Sequence, residues 1–252
     1  MSESNSVNVT NSERGTAYSP LYQQIKALLL KSLDQGEWKP GEAIPSELDL
    51  AARFQVSQGT VRKAIDELAA ENLLIRRQGK GTFVSTHNEA KVRYRFLRLT
   101  PDDGHQPTTR SEIIGCYRVK APAKIAALLA LRPVDTVINI QRVLSFDDKP
   151  TILDNIWLPA QVFKGMTTEA VMQNREPLYA WFEGQFGVSM LRADESIRAV
   201  AATEESAQRL QVSVGSPLLQ VERVAYTYGE RPMEVRQGLY ITSHFHYRNS
   251  LN

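Results

Sequence analysis

The chain has 252 residues, 42% of them hydrophobic and 23% charged, which is globular in composition and long enough for two domains. No apolar run approaches the roughly 20 residues of a membrane span, so no membrane partner is expected. Cys116 is the single cysteine, which excludes a disulfide framework and a thiolate metal cage and suits a reducing cytoplasm.

Residues 1–16 are rich in Ser, Asn and Thr with no apolar core, which predicts a disordered tail and not a signal peptide. Leu21, Ile25, Leu28, Leu29 and Leu33 recur at helical spacing and predict a first helix over 19–34, stopped at Gly36. Ser46 with Asp49 three residues on reads as the capping box of a second helix carrying Leu48, Ala51, Ala52 and Phe54. Ser57 caps a third, in which Val61, Ala64, Ile65 and Leu68 share one face, and Asn72 is a left-handed stop. Only Gln55 and Val56 separate the second helix from the cap of the third, a tight helix-turn-helix connection. Leu73 to Gln78 then alternates apolar and basic, Gly79-Lys80-Gly81 turns, and Thr82 to Ser85 returns. The pattern predicts a winged helix-turn-helix over residues 17–86, followed by a polar linker over 87–95.

The formal net charge of +2 is uninformative, but its distribution is not. Lys and Arg outnumber Asp and Glu by 12 to 9 over residues 17–95 and balance at 17 each over 96–252. The excess gathers at Arg62, Lys63, Arg76, Arg77 and Lys80, the local cluster that phosphate binding needs. Base edges in a major groove are read from the first turns of a helix. The third helix offers Ser57, Gln58, Gly59, Thr60 and Arg62 there. Gln58 suits adenine or a phosphate, Ser57 and Thr60 suit phosphate at the helix start, and Arg62 and Lys63 neutralise phosphates. Gly79, Lys80 and Gly81 let the wing backbone approach a groove with no side-chain bulk at the flanking positions. Each residue alone could be part of a solvated helix face; the ordered set favours double-stranded DNA as partner.

The stretch PGEAIPSELDLAARFQVSQGTVRKAIDELAAENLLIRRQGKGTFV resembles the DNA-binding domain of the GntR family of bacterial regulators. Its marks are Pro-Gly, Pro-Ser-Glu, Val-Ser-x-x-Thr-Val-Arg and Arg-x-Gly-x-Gly-Thr-Phe-Val. The resemblance implies a homodimer on a palindromic operator, contacted through Ser57, Gln58, Gly59, Thr60, Arg62, Gln78 and Gly79. Two positions depart from the common pattern: Leu48 and Gln58 stand where the family often has arginines, so its usual half-site is not assumed.

Beyond the linker, strands are expected at 137–146, 151–158, 189–200, 218–228 and 233–243. Within residues 123–150 and 205–232 lies a repeat at an offset of 81, the second turn one residue longer, pairing Ala126 with Ala207, Leu129 with Leu210, Ile140 with Val221, Arg142 with Arg223 and Val143 with Val224. Two such units predict an α+β domain around an antiparallel sheet with approximate twofold symmetry. The segments QRVLSFDDKPTILDNIWLP, EPLYAWFEGQFGVSMLRADESIRA and ERPMEVRQGLY resemble the HutC branch, whose UTRA effector domain is chorismate-lyase-like, over 96–248.

That resemblance implies a dimerising domain with a pocket over the sheet, and Arg142, Asp154, Arg192, Glu195, Glu234, Arg236 and Tyr240 are the candidate effector-binding residues. An arginine on an apolar strand needs an anion, either from a small-molecule ligand or from an internal partner such as Glu234 for Arg142. Where the branch has a second strand arginine and a helix-opening serine, this chain has Leu144 and Pro177, so a smaller carboxylate is expected in place of a sugar phosphate. His244 and His246 fall on one strand face but lack a third ligand, and no metal, cofactor or catalytic motif is expected. The expected function is a cytoplasmic, nucleoid-associated repressor whose effector tilts the linker. The alternatives are a domain that only dimerises and a DNA-tethered lyase.

Overall fold

A computed structural model describes residues 19–87 and 96–249, and the chain divides into two compact units between Ser85 and Thr86. The tail expected over 1–16 and most of the linker, residues 88–95, lie outside the described residues. His87, expected to begin that linker, is instead buried on the second unit, because its ring and amide find polar partners there.

In the first unit, α1 (Leu21–Asp34) buries Ile25, Leu29 and Leu33. α2 (Glu47–Phe54) starts at the capping box: Ser46 Oγ accepts from the Asp49 amide at 3.2 Å and the Asp49 carboxylate accepts from the Ser46 amide at 3.3 Å. Gln55, at φ 55°, turns the chain left-handed so that α3 (Gln58–Ala70) can begin three residues later, capped by Ser57. Val61, Ala64, Ile65 and Leu68 are essentially inaccessible on its inner face. Asn72, at φ 59°, ends the helical run as its residue type suggests. β1 (Leu74–Arg77) then pairs with β2 (Gly81–Val84) across a turn in which Gly79 takes φ 69°. Ala43 adds a bridge to Phe83, a third strand position for the wing that periodicity did not disclose.

The second unit is built on one six-stranded antiparallel sheet, in the order β4-β5-β6-β9-β8-β7. Its strands are β4 (Thr109–Lys120), β5 (Thr136–Phe146), β6 (Lys149–Pro159), β7 (Arg192–Ala201), β8 (Pro217–Tyr226) and β9 (Pro232–Ile241). The repeat is visible in the order: α4 (Ala123–Leu128) precedes β5 and β6 as α7 (Glu204–Leu210) precedes β8 and β9. β4 and β7 head the two copies, which join where β6 pairs with β9. β4 was not among the expected strands. It is an edge strand, mostly exposed and bulged between Ile113 and Gly115, so it lacks the alternation that marks a half-buried strand.

Side chains alternate across the sheet with period two, and the two faces bury different partners. Val137, Val224 and Val235 pack with Ile125, Ala126 and Leu129 around α4, and Leu218 packs with Ala207 and Leu210 of α7. The opposite face carries Ile138, Ile140, Ile156 and Ala225 beneath α5 (Thr168–Gln173) and α6 (Leu178–Phe186). Farther along that face, Leu144, Phe146, Ile152 and Tyr240 pack with Leu99 and Phe245 from the two-stranded ribbon of β3 (Leu99–Pro101) and β10 (Phe245–Tyr247).

The cap predicts its own test. Ser46→Ala should destabilise the first unit by about 1 kcal/mol in urea unfolding, leaving the second unit's transition where it was.

Candidate nucleic-acid interface and effector cavity

Ser57, Gln58, Gly59, Arg62 and Lys63 are exposed on the first turns of α3, and Thr60 is half-buried. Val61 between them is fully buried, so the polar tips face outward because the helix spends its apolar stripe on the core. The Ser57 and Thr60 hydroxyls lie 2.9 Å apart. Gln78, Gly79 and Lys80 are exposed at the tip of the wing, and nothing lies within 4 Å of where a Cβ on Gly79 would be. Lys63 differs from a free phosphate ligand: its ammonium sits 3.8 Å from the centre of the Tyr22 ring.

Glu47, which the sequence reading did not select, organises this face. One of its carboxylate oxygens accepts from Gln58 Nε2 at 3.2 Å and Arg62 Nε at 2.9 Å, and the other from Arg76 Nη1 at 2.9 Å. The Arg62 hydrogen bond holds its carboxyl below the usual range despite partial burial. Its place in Pro-Ser-Glu, one residue after a cap, was the available signal. Leu48 beside it is 65% exposed, an apolar group on a polar surface.

In the second unit, a cavity of about 740 Å³ opens over the sheet, between α5–α6 and the Phe96–Leu97 segment. Arg142, Asp154, Arg236 and Tyr240 line it, as do Leu144 and Pro177. Arg192, Glu195 and Glu234 do not. Arg192 falls on the other face by the period-two rule and pairs on the surface with Glu230 and Asp194. Glu234 is fully buried beneath Arg236, and Glu195 sits behind Arg223. The repeat pointed to the lining residue that was missed: Arg223 is the counterpart of Arg142, and both are buried on the cavity face. Tyr179 and Arg175 were also missed, since neither lies in a strand.

Every buried arginine of the cavity has a carboxylate. Arg142 donates to Asp154 at 2.9 and 2.7 Å, so its partner is the residue directly opposite on β6 and not Glu234. Arg236 donates to Glu234 at 3.0 and 2.9 Å and reaches Asp154 at 3.4 Å. Arg223 donates to Glu195 at 2.6 Å and to the Phe96 carbonyl. Burial opposes ionisation of Asp154, but Arg142 and Arg236 outweigh it and hold its carboxyl below the ordinary value. Tyr240 is pushed up to about 12, first by burial and then by Asp154. Arg175, at the mouth, bonds to the carbonyls of Met172 and Asn174 and to no carboxylate among the described residues.

His244 and His246 do not share a strand face as expected. Only His246 is in β10, and it pairs with Asp102 at 2.9 Å, while His244 lies in the preceding bend. Among the described residues no group of three candidate ligands could hold a metal ion, and no helix is long and apolar enough to cross a membrane.

The family of bacterial regulatory proteins, gntR family, matches residues 21–84, and the UTRA domain family matches residues 104–246, more than half the chain. The chain belongs to the GntR family. The repressor MngR of the mannosyl-D-glycerate transport/metabolism system in Escherichia coli is 30% identical, over 90% of this chain and 94% of its own. The transcriptional repressor NagR of Bacillus subtilis is 28% identical, over 88% and 90%. The crystal structure of the ligand-binding domain of a GntR-family regulator from Bordetella bronchiseptica is 55% identical, with a TM-score of 0.62, covering 63% of this chain and 99% of that one. This GntR protein is a DNA-binding transcriptional regulator with a UTRA effector domain, and its family and relatives are regulators, not enzymes.

Removing Asp154 would leave two buried arginines without their shared carboxylate. Asp154→Ala should destabilise the second unit by about 3–5 kcal/mol, and Arg142→Met combined with Asp154→Leu should restore most of it in chemical unfolding. Because the folded pKa of Asp154 is depressed, the stability from its ionisation is present above about pH 4 and falls as pH drops through the folded value. An acid titration of Tm reads this, and the Asp154→Leu background should lose that limb.

Proposed function

We propose that the protein is a repressor that binds a palindromic operator as a homodimer and that its affinity is set by a small anionic effector in the UTRA cavity. The exposed set Ser57, Gln58, Gly59, Thr60 and Arg62 on the first turns of α3, above a buried Val61, carries the DNA reading. Paired recognition helices would sit one DNA turn apart, roughly 34–36 Å. Gln78, Gly79 and Lys80 approach the flanking backbone, and Lys63 can leave Tyr22 for a phosphate. Repression is inferred from the relatives, MngR and NagR, which are named as repressors.

The effector reading rests on the cavity of about 740 Å³ and its arginines. Since Arg142, Arg223 and Arg236 are already paired, a multiply charged ligand would have to displace buried carboxylates. Arg175 at the mouth is the cation best placed to meet an acidic group, and Leu144 and Pro177 contribute no charge of their own. A small carboxylate fits this arrangement. The protein would act in the cytoplasm, with the nucleoid as its place of work when bound.

Mobility shifts on the upstream region, with salt varied and small carboxylates added, test the reading. Arg62→Ala should weaken binding to all duplexes and lower the salt slope by about one, whereas Gln58→Ala should change base preference. A chain that ignores its own promoter at low salt would sink the proposal. Arg175→Ala should raise the effector concentration for half-release about tenfold, the effect of losing one charge-assisted hydrogen bond.

A further inference from the structure

The chain enters the second unit at Thr86 and His87, which bond to the helix that walls the cavity. α6 places Leu178 and Tyr179 against the cavity and Glu183 one turn farther along the same face. Glu183 accepts from the Thr86 hydroxyl, from the His87 amide at 3.3 Å to each oxygen, and from Ser189 Oγ at 3.1 Å. Thr86 and His87 directly follow the last residue of the first unit. The His87 ring is buried, with Nε2 3.0 Å from the Met190 carbonyl.

Tyr179 is tied to both sides of this arrangement. Its hydroxyl donates to Glu234 at 2.7 Å, and Glu234 is the carboxylate that neutralises cavity-lining Arg236. Its ring meets the rings of His87 and Phe96 edge-on, each at 5.5 Å between centroids. His87 and Phe96 are the described residues on either side of 88–95. A side chain in the cavity wall thus touches both ends of the segment that follows the DNA-binding unit.

We propose that Tyr179 and Glu183 are the positioning residues that couple the cavity to the Thr86–His87 anchor, with α6 as the moving part. The proposal rests on the effector reading above. An anionic ligand that draws Arg236 toward itself loosens its pair with Glu234, the acceptor of the Tyr179 hydroxyl. α6 has nine residues, too few to absorb that change by bending, so its next turn carries Glu183 with it. Three donors converge on Glu183 from the anchor and the loop after α6, and an ionised carboxylate answers all three. Burial raises its pKa above the usual carboxylate value, and the donors from Thr86, His87 and Ser189 oppose that only in part.

The test uses the full-length protein and two readouts. Hydrogen exchange at residues 86–87 should accelerate about fivefold in Tyr179→Phe, a change made in the cavity wall, and similarly in Glu183→Gln, as expected for one lost hydrogen bond. Ile152→Val, a cavity-wall change on β6 and away from α6, should leave that exchange within about twofold. In mobility shifts with acetate, succinate and citrate as probes, any probe that releases wild-type protein should still bind both variants by calorimetry yet shift their operator affinity less than about twofold. Wild-type exchange at 86–87 in Tyr179→Phe, equal acceleration in Ile152→Val, or a full probe response in both variants would each overturn the coupling. If no probe moves the wild type, the choice of a small carboxylate fails, and the exchange comparison alone still decides whether α6 links cavity and anchor. Thr86→Val, which removes one donor and leaves α6 intact, provides the same exchange comparison should Glu183→Gln fail to fold.

Discussion

Three arginines buried on one face of a sheet can stay there only if three carboxylates accompany them. Arg142 with Asp154, Arg236 with Glu234 and Arg223 with Glu195 meet this condition on the central strands and on β7. A buried ion without a partner costs several kcal/mol, whereas a paired one is near neutral for stability. The pairs therefore specify more than they stabilise. Arg142 meets Asp154 only in the observed β5–β6 register, and a one-residue slip would turn one of them to the other face. Gly238 contributes by staying small, since a Cβ there would come within 3.1 Å of Asp154 Oδ1. The cavity exists because this polar layer cannot be filled with apolar side chains, and the helices close over only part of it.

The first unit solves a related problem on its surface. Its basic residues would repel one another when no DNA is present. Glu47 gathers Gln58, Arg62 and Arg76 around one carboxylate, and Asp66 takes the rest of Arg76. These contacts are exposed, so each contributes little to stability. They orient the side chains without holding them tightly. Sequence patterning and structure agree closely here because the unit is built from local rules. Capping box, left-handed turn at Gln55, apolar stripe and glycine turn each involve residues within a few positions of one another.

The second unit was legible in outline. The repeat between residues 123–150 and 205–232 anticipated the matching helix and two-stranded units α4-β5-β6 and α7-β8-β9 and, through its pairing of Arg142 with Arg223, held the clue to a residue that was overlooked. β4 was missed because an exposed, bulged edge strand has no alternation to read. Of the seven effector candidates, four line the cavity; Arg192 points away, and Glu195 and Glu234 serve the arginines from behind.

The sequence by itself determined the elements that depend on near neighbours: three helices, two of them capped by serines, the wing, the family, and a duplicated α+β domain. Tertiary structure alone decided which charges meet, and which side chains join the cavity to the incoming chain. Tyr179 and Glu234 are separated by 55 positions, Arg223 and Phe96 by 127, and Glu183 and Thr86 by 97. The physical reason is range. Helix caps and turns are closed by hydrogen bonds across three or four residues, whereas the partner of a buried charge is chosen by strand order and register, which no short stretch of chain contains.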